Sequence, residues 1–362
     1  MARSTSFLVC IALLTAACET PITAPNDLET GRVDPVARPA VVRGVYVNAQ
    51  AAGRSDRLDA LLALADQSEL NTFVIDVKER GEVSFQTAIP LASEAGAQRD
   101  YIPDLRALLV RLKEHGIYPI ARIVCFYDPV LATARPDLAI RTVADELWRD
   151  LEGGIPWVDP SNPDVWAYNI DLAREALEAG FAEIQWDYVR FPDVSDAART
   201  DMVFPARAGR SSVEVIREFI SLSRGALASF DAPITADVFG RVITTDSDTI
   251  IGQDWDELVQ VTDVILPMVY PALYWAGSFG IPDPNADPYQ LVRAAMGSAV
   301  ERNAAVGGSV ATIRPWLQAF TLGFPDYGAE QIRAQIQAVE DSGLVEWLFW
   351  NANSVYPAGA FP

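Results

Sequence analysis

LRALLVRLKEHGIYPIARIV, residues 105–124, holds one complete structural unit and decides how the rest of the chain is read. Leu105, Leu108, Leu109 and Leu112 recur at helical spacing, so a helix here has one apolar face. His115-Gly116 stops it, because glycine readily takes the left-handed conformation that closes a helix. Tyr118 to Val124 follows as an apolar run rich in isoleucine and valine, the signature of a strand buried on both faces.

The unit repeats on both sides. Strands are expected at Val42–Val47, Thr72–Lys78, Tyr118–Val124, Glu183–Asp187, Ile234–Phe239, Asp263–Met268, Ile313–Gln318 and Glu346–Trp350. Helical patterns follow the first seven, at about Ser55–Gln67, the leucine face just described, Pro163–Glu178, Val213–Ser229, Trp255–Val261, Pro288–Asn303 and Ala329–Asp341. This alternation predicts the α/β class and a single (β/α)8 TIM barrel over residues 41–362. An open doubly wound sheet is the alternative, but it usually has fewer strands, and no Gly-x-Gly-x-x-Gly or phosphate loop follows the first strand.

Composition narrows the chemistry. The 362 residues are half hydrophobic, ample for a large core. Against 28 basic residues stand 49 acidic ones, a net charge of −21 that argues against nucleic acid as a partner. One histidine, His115, leaves no room for a Ser-His-Asp triad or a histidine-rich zinc site, and its place at a helix end suits the helix dipole. Acid–base work therefore falls to carboxylates, with no metal and no cofactor expected.

The first 18 residues read as a signal peptide: one positive residue, a short apolar run, then small residues. Leu14-Thr15-Ala16-Ala17-Cys18 resembles the lipobox of bacterial lipoproteins, although Thr15 stands where leucine is usual. Cys18 is accordingly expected to carry lipid and tether the exported protein to a membrane of the cell envelope. An ordinary signal cut nearby would instead give a periplasmic or secreted protein. Residues 19–40 read as a flexible linker. Cys125, in an apolar run without a histidine, reads as a core residue.

In a (β/α)8 barrel the active site lies at the C-terminal ends of the strands. Carboxylates recur there: Asp76 on the second strand, Asp187 on the fourth and Asp237 on the fifth. Strands buried on both faces tolerate such charges poorly, so these three are the candidate catalytic residues. Salt bridges that hold the mouth together, for example Asp76 with Lys78 or Arg122, are the competing explanation. Lys78, Arg122, Arg190, Tyr270, Gln318, Trp350 and Asn351 fall at or just beyond the same ends and are candidate substrate contacts. Flat rings beside carboxylates suit sugars, whose C–H faces stack while their hydroxyls need hydrogen bonds.

Glu183-Ile184-Gln185-Trp186-Asp187-Tyr188-Val189-Arg190-Phe191-Pro192 resembles the central motif of a poorly characterised bacterial family of glycoside-hydrolase-like (β/α)8 barrels. Asp237-Val238-Phe239-Gly240, Pro267-Met268-Val269-Tyr270-Pro271, Arg43-Gly44-Val45-Tyr46 and Asp76-Val77-Lys78 resemble its other blocks, from about Val41 to Pro357. The plan is similar to α-amylase-like barrels, and that resemblance implies Asp187 as nucleophile and Asp237 as proton donor. The donor in those enzymes is usually glutamate, here aspartate. The expectation is hydrolysis of O-glycosidic bonds in a carbohydrate by two carboxylates. Two rival readings stay open: a barrel that binds glycans without cutting them, and metal-dependent carbohydrate chemistry with Asp76, Asp187 and Asp237 as oxygen ligands.

Overall fold

Each expected apolar run forms a strand in the computed structural model, which describes residue 1 and residues 33–150, 154–245, 250–308 and 310–362. The expected signal peptide, Cys18 and most of the linker lie outside the described residues. The strands are β1 (Arg43–Val47), β2 (Thr72–Glu79), β3 (Tyr118–Val124), β4 (Glu183–Asp187), β5 (Ile234–Phe239), β6 (Val264–Val269), β7 (Trp316–Gln318) and β8 (Trp347–Trp350). Each runs parallel to its neighbours in sequence order, and β8 returns to β1, so the barrel closes and leaves no open edge.

The principal helices between strands are α1 (Ser55–Ala65), α2 (Leu105–Glu114), α3 (Pro163–Ala179), α4 (Ser212–Leu227), α5 (Trp255–Leu258), α6 (Pro288–Val306) and α7 (Ala329–Asp341). On α2, Leu108, Leu109 and Leu112 are buried, His115 caps the C-terminus and pairs with Asp66, and Gly116 takes φ +66°. The larger core fills the space between strands and helices. A smaller one, with Val42, Val74, Ile120, Leu266, Trp316 and Leu348, fills the barrel itself.

Two details differ from the sequence expectation. The seventh run is broken at Arg314-Pro315: Thr312–Ile313 pairs with β6, and β7 starts only at Trp316. Pro315 has no N–H to give to a ladder. The linker expected over 19–40 also ends early. Val33 is buried and donates its N–H to the Ala179 carbonyl at 3.1 Å, and Arg38 pairs with Glu346, so residues from Val33 onward pack on the foot of the barrel.

The foot is sealed by charge. Arg314, fully buried, donates from Nη1 to Glu183 at 2.6 Å and from Nε to Glu346 at 2.9 Å. Glu346 also accepts from Arg38 at 2.7 Å, and the Tyr118 hydroxyl donates to Glu183 at 3.3 Å. Two arginines thus face two glutamates with most of their hydrogen-bonding capacity met, the condition under which a buried ion pair is tolerated.

Candidate active site

At the opposite end, alternation along the strands brings polar side chains inward. Gln185 and Asp187 share the inner face of β4, whereas Trp186 between them faces outward, against Phe219 and the Ser223 hydroxyl. Trp186 pairs with Ala236 of β5, so the next positions, Asp187 at the end of β4 and Asp237 two residues before the end of β5, come side by side on adjacent strands.

Arg122 of β3 organises one half of the mouth. Its Nη1 donates to Asp76 at 2.5 Å and to Glu79 at 2.6 Å, while Nε and Nη2 donate to Asp187 Oδ2 at 3.0 and 2.5 Å. Burial works against the guanidinium charge, but Asp187, Glu79 and Asp76 together hold it firmly protonated. Asp187 Oδ1 accepts the Tyr188 backbone N–H at 2.6 Å, and Tyr188 sits at φ +46°. A non-glycine residue in that region is strained, and such strain tends to gather at functional positions.

Asp76 has a different balance. Burial pushes its carboxyl up to about 7, with Arg122 opposing and Glu79 adding to the rise. The Tyr46 hydroxyl donates to its second oxygen. Tyr46 stacks on Trp350 with ring centroids 3.8 Å apart, and the Arg122 guanidinium lies 4.9 Å from the Trp350 ring centre.

Asp237 stands apart. Only 2% exposed, it meets no cation within ion-pair distance among the described residues. Its oxygens accept from Gln185 Nε2, both at 2.9 Å, and from Trp316 Nε1 at 2.9 Å. Burial, then the neighbouring charge of Asp187, holds this carboxyl well above the usual carboxylate range. Tyr270, just beyond β6, packs in the inner cluster with Trp316 and is pushed up by burial and then by the charges of Asp237 and Asp187.

The expected contact residues divide. Arg122, Tyr270 and Trp350 gather around the carboxylates. Lys78 does not: the register of β2 against β3 shifts between Asp76 and Lys78 and turns that side chain out of the barrel. There it is fully buried, 2.9 Å from Asp128 and over the Tyr168 ring of α3. Gln318 and Asn351 are committed to loop backbone, through the Ala272 N–H, the Phe320 carbonyl and the Ala319 and Val355 carbonyls. Arg190 is buried among the rings of Trp157, Tyr188 and Phe239 and donates to the Phe191 carbonyl at 3.1 Å. Tyr46, Glu79, Gln185 and Trp316 join the site without having been singled out. For Gln185 the signal was the period-two alternation that also carries Asp187; Glu79, three residues past Asp76, reaches the mouth only through the register shift after Asp76. Asp76 and Asp187 lie on either side of the Arg122 guanidinium, and no group of three acidic, histidine or cysteine side chains among the described residues is arranged to hold a metal ion.

Two clefts open beside this centre. One, about 350 Å³, is lined by Phe239, Gly240, Arg241, Met268, Tyr270, Tyr274 and Trp275. Gly240 is needed there, because a Cβ would collide with the Tyr274 hydroxyl and the Met268 carbonyl. The other, about 250 Å³, is lined by Tyr46, Asp76, Glu79, Glu82, Tyr101 and Trp350.

Known proteins agree with this architecture. The profile of a family described as "Putative glycosyl hydrolase domain" matches residues 44–356. The PgaB (BpsB) glycoside hydrolase domain from Bordetella bronchiseptica superposes with a TM-score of 0.63 at 14% identity, over 87% of this chain and 95% of that one. TtGalA, an α-galactosidase from Thermus thermophilus in complex with stachyose, gives 0.55 at 17% identity, over 90% of this chain and 65% of its own. At those identities the likeness is one of fold. A hypothetical protein from Ruminiclostridium thermocellum ATCC 27405 is 36% identical over 54% of this chain and 97% of its own, with a TM-score of 0.50. No curated protein matches.

Proposed function

The chain belongs to this family of glycosyl hydrolase domains, and from that premise we propose that it cuts O-glycosidic bonds of an oligo- or polysaccharide between Asp187 and Asp237. The observation that carries the proposal is the split between two neighbouring carboxyls. Asp187 faces the positive charge of Arg122, whereas Asp237 is buried without an ion-pair partner among the described residues and keeps its proton well above the ordinary range. A carboxyl that keeps its proton beside one that faces a cation can serve as the acid to the other's base or nucleophile.

In the reaction, Asp237 gives its proton to the oxygen of the leaving sugar as the C–O bond breaks. Asp187 either attacks the anomeric carbon or takes a proton from the water that does. In the first case a water then displaces Asp187 from the anomeric carbon, giving it OH and giving its proton to Asp237; in the second the proton taken by Asp187 returns to Asp237 through solvent, so both carboxyls end as they began. Tyr270 and Trp350 are the aromatic contacts for sugar faces, and Arg122 positions Asp187.

The ion pair of Asp187 with Arg122 also fits a barrel that binds glycan without cutting it. Asp237 favours hydrolysis, because binding alone has no use for an unpaired buried acid. The test is release of reducing ends from carboxymethylcellulose, glycol chitin, galactomannan and peptidoglycan. At least one is expected to be cut, and Asp187→Asn is expected to lower that rate by about 10²–10⁴-fold while thermal unfolding stays close to wild type. Full activity in Asp187→Asn would sink the assignment.

We further propose that the protein is exported and lipid-anchored through Cys18, on the strength of Leu14 to Cys18 alone. Labelling of expressing cells with a fatty acid should mark the protein, and Cys18→Ala should abolish the label. Equal labelling of both would refute the anchor.

A further inference from the structure

We infer that the substrate lies across the barrel mouth, one segment in each cleft, and that the enzyme cuts within a chain rather than trimming its end. The inference rests on the hydrolase reading and deepens it. The strand order places the clefts on opposite sides. One is built on the ends of β5 and β6, the other on those of β1, β2 and β8. In a ring of eight, β1 and β2 lie across from β5 and β6. Asp187 on β4 and Arg122 on β3 occupy the wall between.

The reacting groups stand between the clefts. Tyr270 lines the larger and packs in the same inner cluster as Trp316, whose indole N–H bonds Asp237. Trp350 and Asp76 line the smaller, and the path back runs from Trp350 to Trp316 at 5.6 Å and from the Trp316 indole N–H to Asp237. Either cleft alone is at or below the low end of small-molecule sites, about 300–1,000 Å³, so an occupant of ordinary size uses both. An end-trimming site would be blind on one side, whereas here the bonded sugars have room beyond the cut in both directions.

Trp275 marks the far end of the larger arm. It is 86% exposed, on the rim of an apolar cleft that also holds Tyr274 and Phe239. A large bare ring at the lip of a groove suits the face of a sugar unit several residues from the cut. Trp275 is thus a specificity residue for chain length.

The experiment uses whichever of the four polymers is cut. Viscosity is followed against reducing ends, and the earliest products are sized. Internal cleavage predicts a steep viscosity drop while few bonds are broken, with mixed oligosaccharides first. Trp275→Ala should raise KM for the polymer about 2- to 10-fold, more than for a short oligosaccharide of the same sugar. Leu222→Ala, on the outer face of α4, is the matched control and should change neither. Only mono- or disaccharide from the first time point, with viscosity unchanged, would overturn the inference and leave the hydrolase reading standing. Equal KM values for Trp275→Ala and wild type on the polymer would remove Trp275 from the site. No cleavage of any polymer would overturn both readings.

Discussion

The barrel carries a buried arginine–carboxylate cluster at each end, and the two are built alike but balanced differently. At the foot, Arg314 and Arg38 face Glu183 and Glu346, and Tyr118 bonds one of the acids. At the mouth, Arg122 alone faces Asp76, Glu79 and Asp187, and Tyr46 bonds one of those. Asp237 stands beyond, without an ion-pair partner among the described residues. The balanced end holds the barrel shut, and the clefts beside it are lined by Arg38 and Tyr118 but by neither glutamate, whereas Asp76 and Glu79 line a cleft at the mouth. The unbalanced end opens on two clefts, and its surplus acid can be tolerated only by keeping protons on carboxyls. The same side-chain chemistry therefore serves stability or catalysis according to charge balance and access.

Removing each arginine is the strongest way to break that comparison. Arg314→Met leaves Glu183 and Glu346 buried and short of positive charge, and should cost about 3–5 kcal/mol of stability while activity per folded molecule stays near wild type. Arg122→Met should cost less stability, because Asp76 can take a proton and Glu79, whose side chain is 37% exposed, can turn to water. Its activity should fall by about 10²-fold or more, as Asp187 loses its positioning partner. Urea denaturation with rate measurements on the same samples decides. Equal stability losses, or a fully active Arg122→Met, would make the clusters equivalent.

Much of this was legible in the sequence, and the failures have physical causes. The eight strands were visible because a parallel barrel buries both faces of each strand, so each reads as a continuous apolar run. Asp76, Asp187 and Asp237 were visible because charge interrupts those runs at their ends. The bulge after Asp76 was not: one residue of register slip leaves no mark on composition, yet it turns Lys78 from the mouth to Asp128. Gln318 and Asn351 sit where substrate contacts are expected, but their amides are used up on loop backbone, a destination that depends on the fold of residues 270–286 and 319–355. The foot cluster was hidden because Arg314 and Glu183 are 131 positions apart and meet only when the barrel closes.

Next in size is the effect of pH, which sharpens the contrast at the mouth. Asp76 is raised to about 7 and Asp237 well above the ordinary range, both chiefly by burial. Their folded values exceed the unfolded ones, so the folded state binds more protons. The stability they contribute is complete below the ordinary aspartate value of about 3.9 and is lost as pH rises, through about 7 for Asp76. Wild type should therefore lose urea resistance between about pH 5 and about pH 8, and the Asp76→Asn, Asp237→Asn double variant should lose less of it. Activity should decline on the alkaline side as Asp237 gives up its proton. An unchanged stability slope in the double variant would show that neither carboxyl is protonated in the folded state.

The smallest test compares the two tyrosines. Tyr118→Phe removes a hydroxyl that donates to the Ala182 carbonyl at 3.1 Å and to Glu183 at the foot, and Tyr46→Phe removes the one that donates to Asp76. Each should cost about 0.5–1.5 kcal/mol of stability, since each deletes one buried hydroxyl and keeps the ring. Activity should separate them. Asp76 without Tyr46 leans further on Arg122, the same guanidinium that positions Asp187, so kcat should fall several-fold in Tyr46→Phe. The Tyr46 ring still stacks on Trp350 in that variant, so KM should hold. Tyr118→Phe should leave both constants alone, because among the described residues no bond of the foot cluster reaches the mouth. A matched kcat in the two variants would mean that the Arg122 cluster, like the Arg314 cluster, only holds the barrel together, and the burden of catalysis would then fall on Asp237 and Asp187 without their supporting network.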